Sequence, residues 1–174
     1  MTLSDLANLA QIIVALAVIA SLIFVGLQIR QNTKSAKSST LQLNADHWLN
    51  YFSIISDPKF TDIYAKGSLG SDDLDQNQFR QFFLLCRATF MGMENQHYQF
   101  QHGLLDSDTY AGYRVTVREQ ILAFPGIRAM WRLVRHSYGA DFVAFMDKQI
   151  ADAPVHQDSA FRKWKELVVI QKSR

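Results

Sequence analysis

The hydrophobic pattern divides the chain into one unbroken apolar block and a series of amphipathic segments. Leu6 to Ile29 runs for 24 residues without a charge, and from Ile12 to Leu27 only Ser21 carries a polar side chain. A helix of that length reaches about 36 Å, enough to cross the roughly 30 Å hydrocarbon core of a bilayer. Asn32 to Ser39 is then polar but holds no glycine or proline. Leu41, Ala45, Trp48, Leu49, Phe52 and Ile55 recur at spacings of three and four, the mark of one apolar helix face. The spacing predicts a single helix from about residue 6 to residue 55, crossing a membrane and projecting from it. Ser35, Ser38 and Ser39 are the place for a bend.

The rest of the chain reads as shorter helices. Asp57 followed by Pro58 is a helix start, and a helix to about Lys66 presents Phe60, Ile63 and Tyr64. Gly67, Gly70 and the acids Asp72, Asp73 and Asp75 predict a loop. A second long helix should run from Gln76 to His102, closed by Gly103. Its face is Phe79, Phe82, Phe83, Cys86, Phe90, Met93, His97 and Phe100, widened by Leu85 and Met91, and is expected to pack on the Trp48 face. Asp106 or Ser107 caps a helix to about Phe124 with the stripe Tyr110, Tyr113, Val117 and Ile121, broken by Pro125 and Gly126. Ile127 to Ser137 turns Met130, Trp131 and Val134 inward and Arg128, Arg132 and Arg135 outward. Asp141 to Ala151 buries Phe142, Phe145, Met146 and Ile150. The last segment sets Phe161, Trp164, Leu167 and Val168 beside Arg162, Lys163 and Lys165, a short basic amphipathic helix that can lie on a membrane surface, dock on a partner or, the commonest fate, pack back on its own domain.

The fold class is therefore all-α: an N-terminal transmembrane helix continuing into a cytoplasmic helical bundle. The expected division is 1–29 for the tail and span, 30–56 for a juxtamembrane extension, 57–153 for the bundle and 154–174 for the basic C-terminal segment. A cleaved signal peptide would place Lys or Arg before the apolar core, where this chain has only Asp5. Arg30, Lys34 and Lys37 follow the span within a few turns. The positive-inside bias puts the amino terminus outside and the remainder in the cytoplasm.

Charge adds a polarity to this picture. From Asp57 to Tyr110 there are 8 acids against 4 bases, and from Ala111 to Arg174 there are 11 bases against 6 acids. A basic carboxyl-terminal half suits anionic lipid. The bases are scattered through helices and form no recognition module, so nucleic acid is not an expected partner. Cys86, the single cysteine, lies in an apolar run and reads as core.

The sharpest chemical pattern is Glu94-Asn95-Gln96-His97. Glu and His three apart share a helix face, a spacing that di-iron bundles use twice, together with two further glutamates. Here it occurs once, so no metal site is expected. Glu94 reads instead as an acid held by a hydroxyl or by Arg114, Arg118 or Arg128, with His97, Tyr98 and His102 as packing or rim residues. If the bundle encloses a pocket, Glu94, Asn95, Tyr98 and Trp131 are its candidate ligand-binding residues. Arg30, Lys34, Lys37, Trp48 and Trp164 are the candidate membrane or interface residues, with Trp48 expected in the core. The three clustered acids lack the order of a calcium loop. His136 and His156 are isolated and expected to be exposed. No phosphate loop, nucleophile elbow or thiol-histidine pair is present. The pattern leans away from an enzyme, and no catalytic residue or cofactor is assigned.

The order LSDLANLAQIIVALAVIASLIFVGLQIRQNT, then FRQFFLLCRATFMGMENQHYQFQHGLLD, then FPGIRAMWRLVRHSYGADFVAFMD resembles a broad group of uncharacterised bacterial single-span membrane proteins with a helical cytoplasmic domain. The resemblance implies a bacterial inner-membrane location and transfers no catalytic residue. The expected function is a membrane-anchored accessory or scaffold protein that docks on a larger membrane complex or on its own copies. The alternative is a membrane-tethered small-molecule binding or sensory module with a pocket near Glu94.

Overall fold

A computed structural model describes residues 2–154 and 159–172, with side chains in the last stretch from Trp164 onward. The expected exposure of His156 and the side chains of Phe161, Arg162 and Lys163 lie outside the described residues. Every regular element among the described residues is helical, as the sequence pattern requires.

Helix α1 spans Leu3–Ile55, 53 residues. Thr2 and Asp5 close its first turn reciprocally: the Thr2 amide donates to Asp5 Oδ2 at 2.8 Å, and the Asp5 amide to Thr2 Oγ1 at 3.3 Å. The helix runs through Ser35, Ser38 and Ser39 without interruption. By compactness the chain falls into two units, 1–43 and 44–174. In the first unit every residue from Thr2 to Ser39 is exposed. This is the one described helix long and apolar enough to cross a membrane. An isolated helix that is apolar on all sides has its backbone satisfied internally and its side chains suited to lipid.

The second unit opens with the last turns of α1, so residues 44–55 of the expected juxtamembrane extension belong to the bundle. Their buried face is turned from the expected one. Leu49 and Phe52 are 66% and 47% exposed, while Asn44 and Tyr51 are buried. Hydrogen bonding explains the turn: Asn44 Nδ2 donates to Gln99 Oε1 at 2.8 Å and the Tyr51 and Tyr64 hydroxyls meet at 2.8 Å. Leaving such a buried polar group unpaired would cost about 1–3 kcal/mol, as much as burying one more apolar side chain gains. Trp48 is half-buried as the hub of an aromatic group with Tyr51, Phe52 and Tyr113.

Helix α2, Pro58–Leu69, is capped by Asp57, whose carboxylate accepts from the Lys59 amide. It continues past Gly67, which the sequence had assigned to a loop. Gly70 at φ 72° is the true left-handed terminus, with its amide bonded to the Gly67 carbonyl. Gly67 serves a different purpose: a Cβ there would lie 2.5 Å from the Phe82 ring. Helix α3, Gln76–Gln101, starts with a reciprocal capping box between Asp75 and Gln78. Asp75 thus has a structural role, while Asp72 and Asp73 stay exposed. Phe82, Leu85, Cys86, Phe90 and Met93 form its buried face, and Phe79 and Met91, expected inward, are exposed.

Asp106 caps α4, Ser107–Thr116. The stripe continues through a π-helical turn, Val117–Ile121, closed by the Leu122 amide on the Val117 carbonyl at 2.8 Å. The chain leaves that turn with Ile121, Leu122 and Ala123 all buried in succession. Pro125 then begins α5, Pro125–Val134, as its first residue. Ile127, Met130, Trp131 and Val134 are buried. A 3-10 turn, Arg135–Ser137, leads to α6, Ala140–Asp152, with Phe142 and Met146 in the core. Arg128, expected to point outward, donates to the carbonyls of Leu122, Ala153 and Pro154 and ties the end of α6 to the π turn. Helix α7, Ser159–Lys172, leaves Trp164 and Leu167 exposed and Val168 half-buried.

Candidate functional site

The middle of α3 positions the chemistry singled out in the sequence, and it divides the residues between two neighbourhoods. Glu94 is half-buried, and its Oε1 accepts from the Gly139 amide at 3.3 Å. Gly139 is the N-cap position of α6 and offers no side chain of its own. A carboxylate from another helix therefore takes the N-cap amide, the donor that the Glu or Gln of a capping box would engage, and its charge complements the helix terminus. Among the described residues Glu94 forms no ion pair with Arg114, Arg118 or Arg128. The loop that Glu94 holds carries Tyr138, whose ring lies 5.3 Å from Trp131 and 5.3 Å beneath the Arg87 guanidinium.

His97 faces the other neighbourhood. Its Nδ1 shares a 2.5 Å hydrogen bond with the Tyr110 hydroxyl, and its ring stacks on Phe145 at 4.4 Å. Burial lowers its pKa below 6.5, partly opposed by Asp141, and burial likewise lowers that of His47. Tyr110 is pushed up to about 12 by burial, so it stays protonated across the physiological range. Glu94 and His97 thus spend their polar atoms on Gly139 and Tyr110. Among the described residues no three of His, Cys, Asp and Glu stand together as a metal-binding group.

The four candidate ligand residues stand in different settings. Trp131 is buried, with Nε1 donating to Asp147 Oδ1 at 2.9 Å, and Asp147 Oδ2 also holds Arg135. Asn95 points to solvent. Tyr98 is exposed and stacks on His102 at 3.9 Å. Of the candidate membrane and interface residues, Arg30, Lys34, Lys37 and Trp164 are exposed and Trp48 is half-buried. His136 is exposed.

Openings among the described residues lie away from these side chains. A void of about 10 Å³ sits inside the core among Tyr51, Tyr64, Cys86, Phe90, Ile121 and Ile127. Burial there pushes the Cys86 thiol up to about 12, which keeps it unreactive. A groove of about 370 Å³ runs between α2, α3 and α5, walled by Phe79, Phe82, Ala129, Met130 and Leu133, with Gly67 and Gly126 at its base. Its lining is apolar apart from Ser71. Polar groups are buried elsewhere in the bundle: Gln96 Oε1, Gln149 Oε1 and the Tyr113 hydroxyl have no hydrogen-bond partner among the described residues.

Tyr138, Asp147 and the groove were missed in the sequence, for a common reason. Tyr138 stands beside Gly139 in what reads as punctuation, and Asp147 meets Trp131 only across the α5 to α6 connection. The groove depends on how closely α2 and α5 approach. Compared with models of protein families, with curated proteins and with solved structures, the chain matches none of them.

Proposed function

We propose that the chain is a membrane-anchored helical accessory or scaffold protein that docks on a larger membrane complex or on its own copies. One observation carries the reading: a bundle with an aromatic core leaves apolar side chains in solvent on several helices. Leu49 and Phe52 on α1, Leu69 on α2, Phe79, Leu84 and Met91 on α3 and Leu133 on α5 are each 43–66% exposed. Scattered single residues need no explanation, but Phe79 and Leu133 line one groove with Leu74 and Met130, and such contiguous patches mark interaction surfaces.

The apolar first half of α1 supplies the anchor, and Arg30, Lys34 and Lys37 support a cytoplasmic bundle by the positive-inside bias. A bacterial inner membrane rests on the resemblance alone. The rival function, a tethered small-molecule or sensory module, is favoured only by the volume of the groove. It lacks the few convergent polar groups that orient a small ligand, and it would not use Glu94, which is engaged with Gly139.

The deciding experiment is mass measurement of the detergent-extracted full chain, with identification of whatever accompanies it. A stable oligomer or a stoichiometric protein partner supports docking. A monomer carrying a bound metabolite overturns it in favour of the sensory module.

A further inference from the structure

We infer that the solvent-facing seam of α3 is an interface with the same seam of a second copy of this chain, the two helices running antiparallel about a two-fold axis level with Ala88 and Met91. This deepens the docking reading and rests on it.

The seam is Gln81, Leu84, Ala88, Met91, Asn95 and Tyr98, which recur at alternating spacings of three and four over about 26 Å of helix. All six are exposed with α7 in place, Leu84, Met91 and Tyr98 at 56–58%. The residues between them, Phe82, Leu85 and Phe90 among others, turn into the bundle. None of the six carries a charge, whereas the face that a helix turns to water is ordinarily charged and polar. A seven-residue repeat of this kind is the pattern that a partner helix packs against, side chain into gap. The occupant is therefore a helix whose own seam is equally uncharged.

Charge selects the second copy. Arg87 and Glu94 stand one heptad apart on one flank of the seam, each directly before a seam residue. Arg87 is held over the Tyr138 ring and Glu94 by the Gly139 amide. Among the described residues neither has an ion-pair partner. Antiparallel pairing with Ala88 opposite Met91 brings Arg87 of each copy beside Glu94 of the other, so two opposite-charge pairs flank one axis. The same register sets the smallest seam residue against the flexible Met91 at the centre, which lets the helices approach. It places Leu84 against Asn95, and Gln81 against Tyr98 at each end, where amide and hydroxyl can pair. A parallel pair would instead set Arg87 beside Gly92 and Glu94 beside Gln99, leaving both charges without a counter-charge. An unrelated helix would have to carry the opposite charges in reversed order at this spacing. An identical copy has them by symmetry, and such pairs fix partner and orientation.

The test uses the full chain, co-expressed as two variants, Ala88→Cys and Met91→Cys, oxidised in the membrane and then extracted in detergent. Cys86 remains, since it is buried. The expected result is a disulfide-linked dimer several-fold more abundant from the pair than from either variant alone. Arg87→Glu in both chains, which sets acid against acid, should reduce it several-fold, and Arg87→Lys should keep it. Arg80→Glu, one heptad earlier and opposite the uncharged Gln101 in this register, should leave it unchanged. A yield from the pair no higher than from the single variants overturns the inference. So does a yield that Arg87→Glu leaves untouched in a chain that still folds by circular dichroism. Met91→Cys and Ala88→Cys each linking efficiently to their own kind overturns the antiparallel arrangement in favour of a parallel one. A dimeric or partner-bound mass without the 88–91 bond overturns this contact and leaves the docking reading standing, whereas a monomer with no accompanying protein overturns both.

Discussion

Gly126 crosses Gly67 so closely that a Cβ on Gly126 would lie 1.8 Å from the Gly67 carbonyl oxygen. The obstacle is backbone, which cannot swing aside as a side chain can, so the crossing of α2 and α5 depends on the missing methyl. Gly126→Ala should therefore destabilise the bundle by about 3 kcal/mol or more, a fall in Tm of order 10 °C. Gly112→Ala is the control, since a Cβ there meets nothing within 4 Å. It should be neutral or raise stability by up to about 1 kcal/mol through helix propensity. Thermal melts followed by circular dichroism distinguish the two. Equal Tm values for both variants would mean that the crossing is looser than the structure has it.

Glu94→Gln should keep the fold and cost about 1 kcal/mol or less. Glutamine retains an oxygen able to accept from the Gly139 amide but loses the charge that complements the α6 terminus. Glu94→Ala should cost more, about 1–1.5 kcal/mol, the usual net worth of one hydrogen bond. The comparison also bears on metal chemistry. Elemental analysis finding iron, manganese or zinc in the wild type that disappears in Glu94→Gln and His97→Ala would promote the Glu-x-x-His pair to a ligand set.

Long-range pairings mark the limit of what the sequence disclosed. Local signals were legible: Asp57 with Pro58 and Asp106 each mark a helix start that the backbone bears out, whereas Asp75, read as part of an acidic loop, caps α3 with Gln78. The apolar span and the all-helical fold follow from periodicity alone. What periodicity does not contain is which of two adjacent faces turns inward when polar groups have distant partners. Asn44 is 55 residues from Gln99, and their pairing rotates the end of α1 away from its most apolar face. The π turn at Val117 is hidden likewise, because the stripe Tyr110, Tyr113, Val117 and Ile121 fits a regular helix equally well. At the candidate site, Glu94 was legible as a constrained acid, but its partner was sought among arginines. It proved to be a backbone amide at position 139, which no side-chain pattern announces.

Acid should weaken the fold from about pH 6.5 downward. His47 and His97 both have pKa values lowered from 6.5, chiefly by burial. The unfolded chain therefore binds more protons than the folded one between the lowered values and 6.5. The stability they contribute is fully present above 6.5 and is lost as the pH falls through the folded values. Tm measured from pH 7.5 to 5.0 should decline, and His97→Gln should flatten part of the decline. A Tm that rises over this interval would show that the folded state holds these imidazoles charged.

A fragment comprising residues 39–174 should fold without lipid. The buried apolar residues lie between Tyr51 and Ala153, and the compact second unit begins at Asn44. The fragment should be mostly helical, melt cooperatively and resist limited proteolysis. Uniform digestion in water of a fragment that is helical in detergent would show that the bundle depends on the span or on a partner.

The anchor itself is tested by extraction. The span is charge-free from Leu6 to Ile29 and exposed along its length, so its affinity for a bilayer comes from apolar burial, which added salt does not screen. The full chain should stay with membranes through washes at high salt and at alkaline pH and enter solution only with detergent. Deleting residues 1–38 separates this anchor from the basic helix α7, whose attraction to anionic lipid falls within a Debye length, about 3 Å at 1 M salt. The truncated chain should therefore wash off at high salt even if it binds membranes at low salt. Recovery of the full chain in the salt-wash supernatant would sink the spanning assignment. Retention of the truncated chain at high salt would give the anchoring role to the bundle instead.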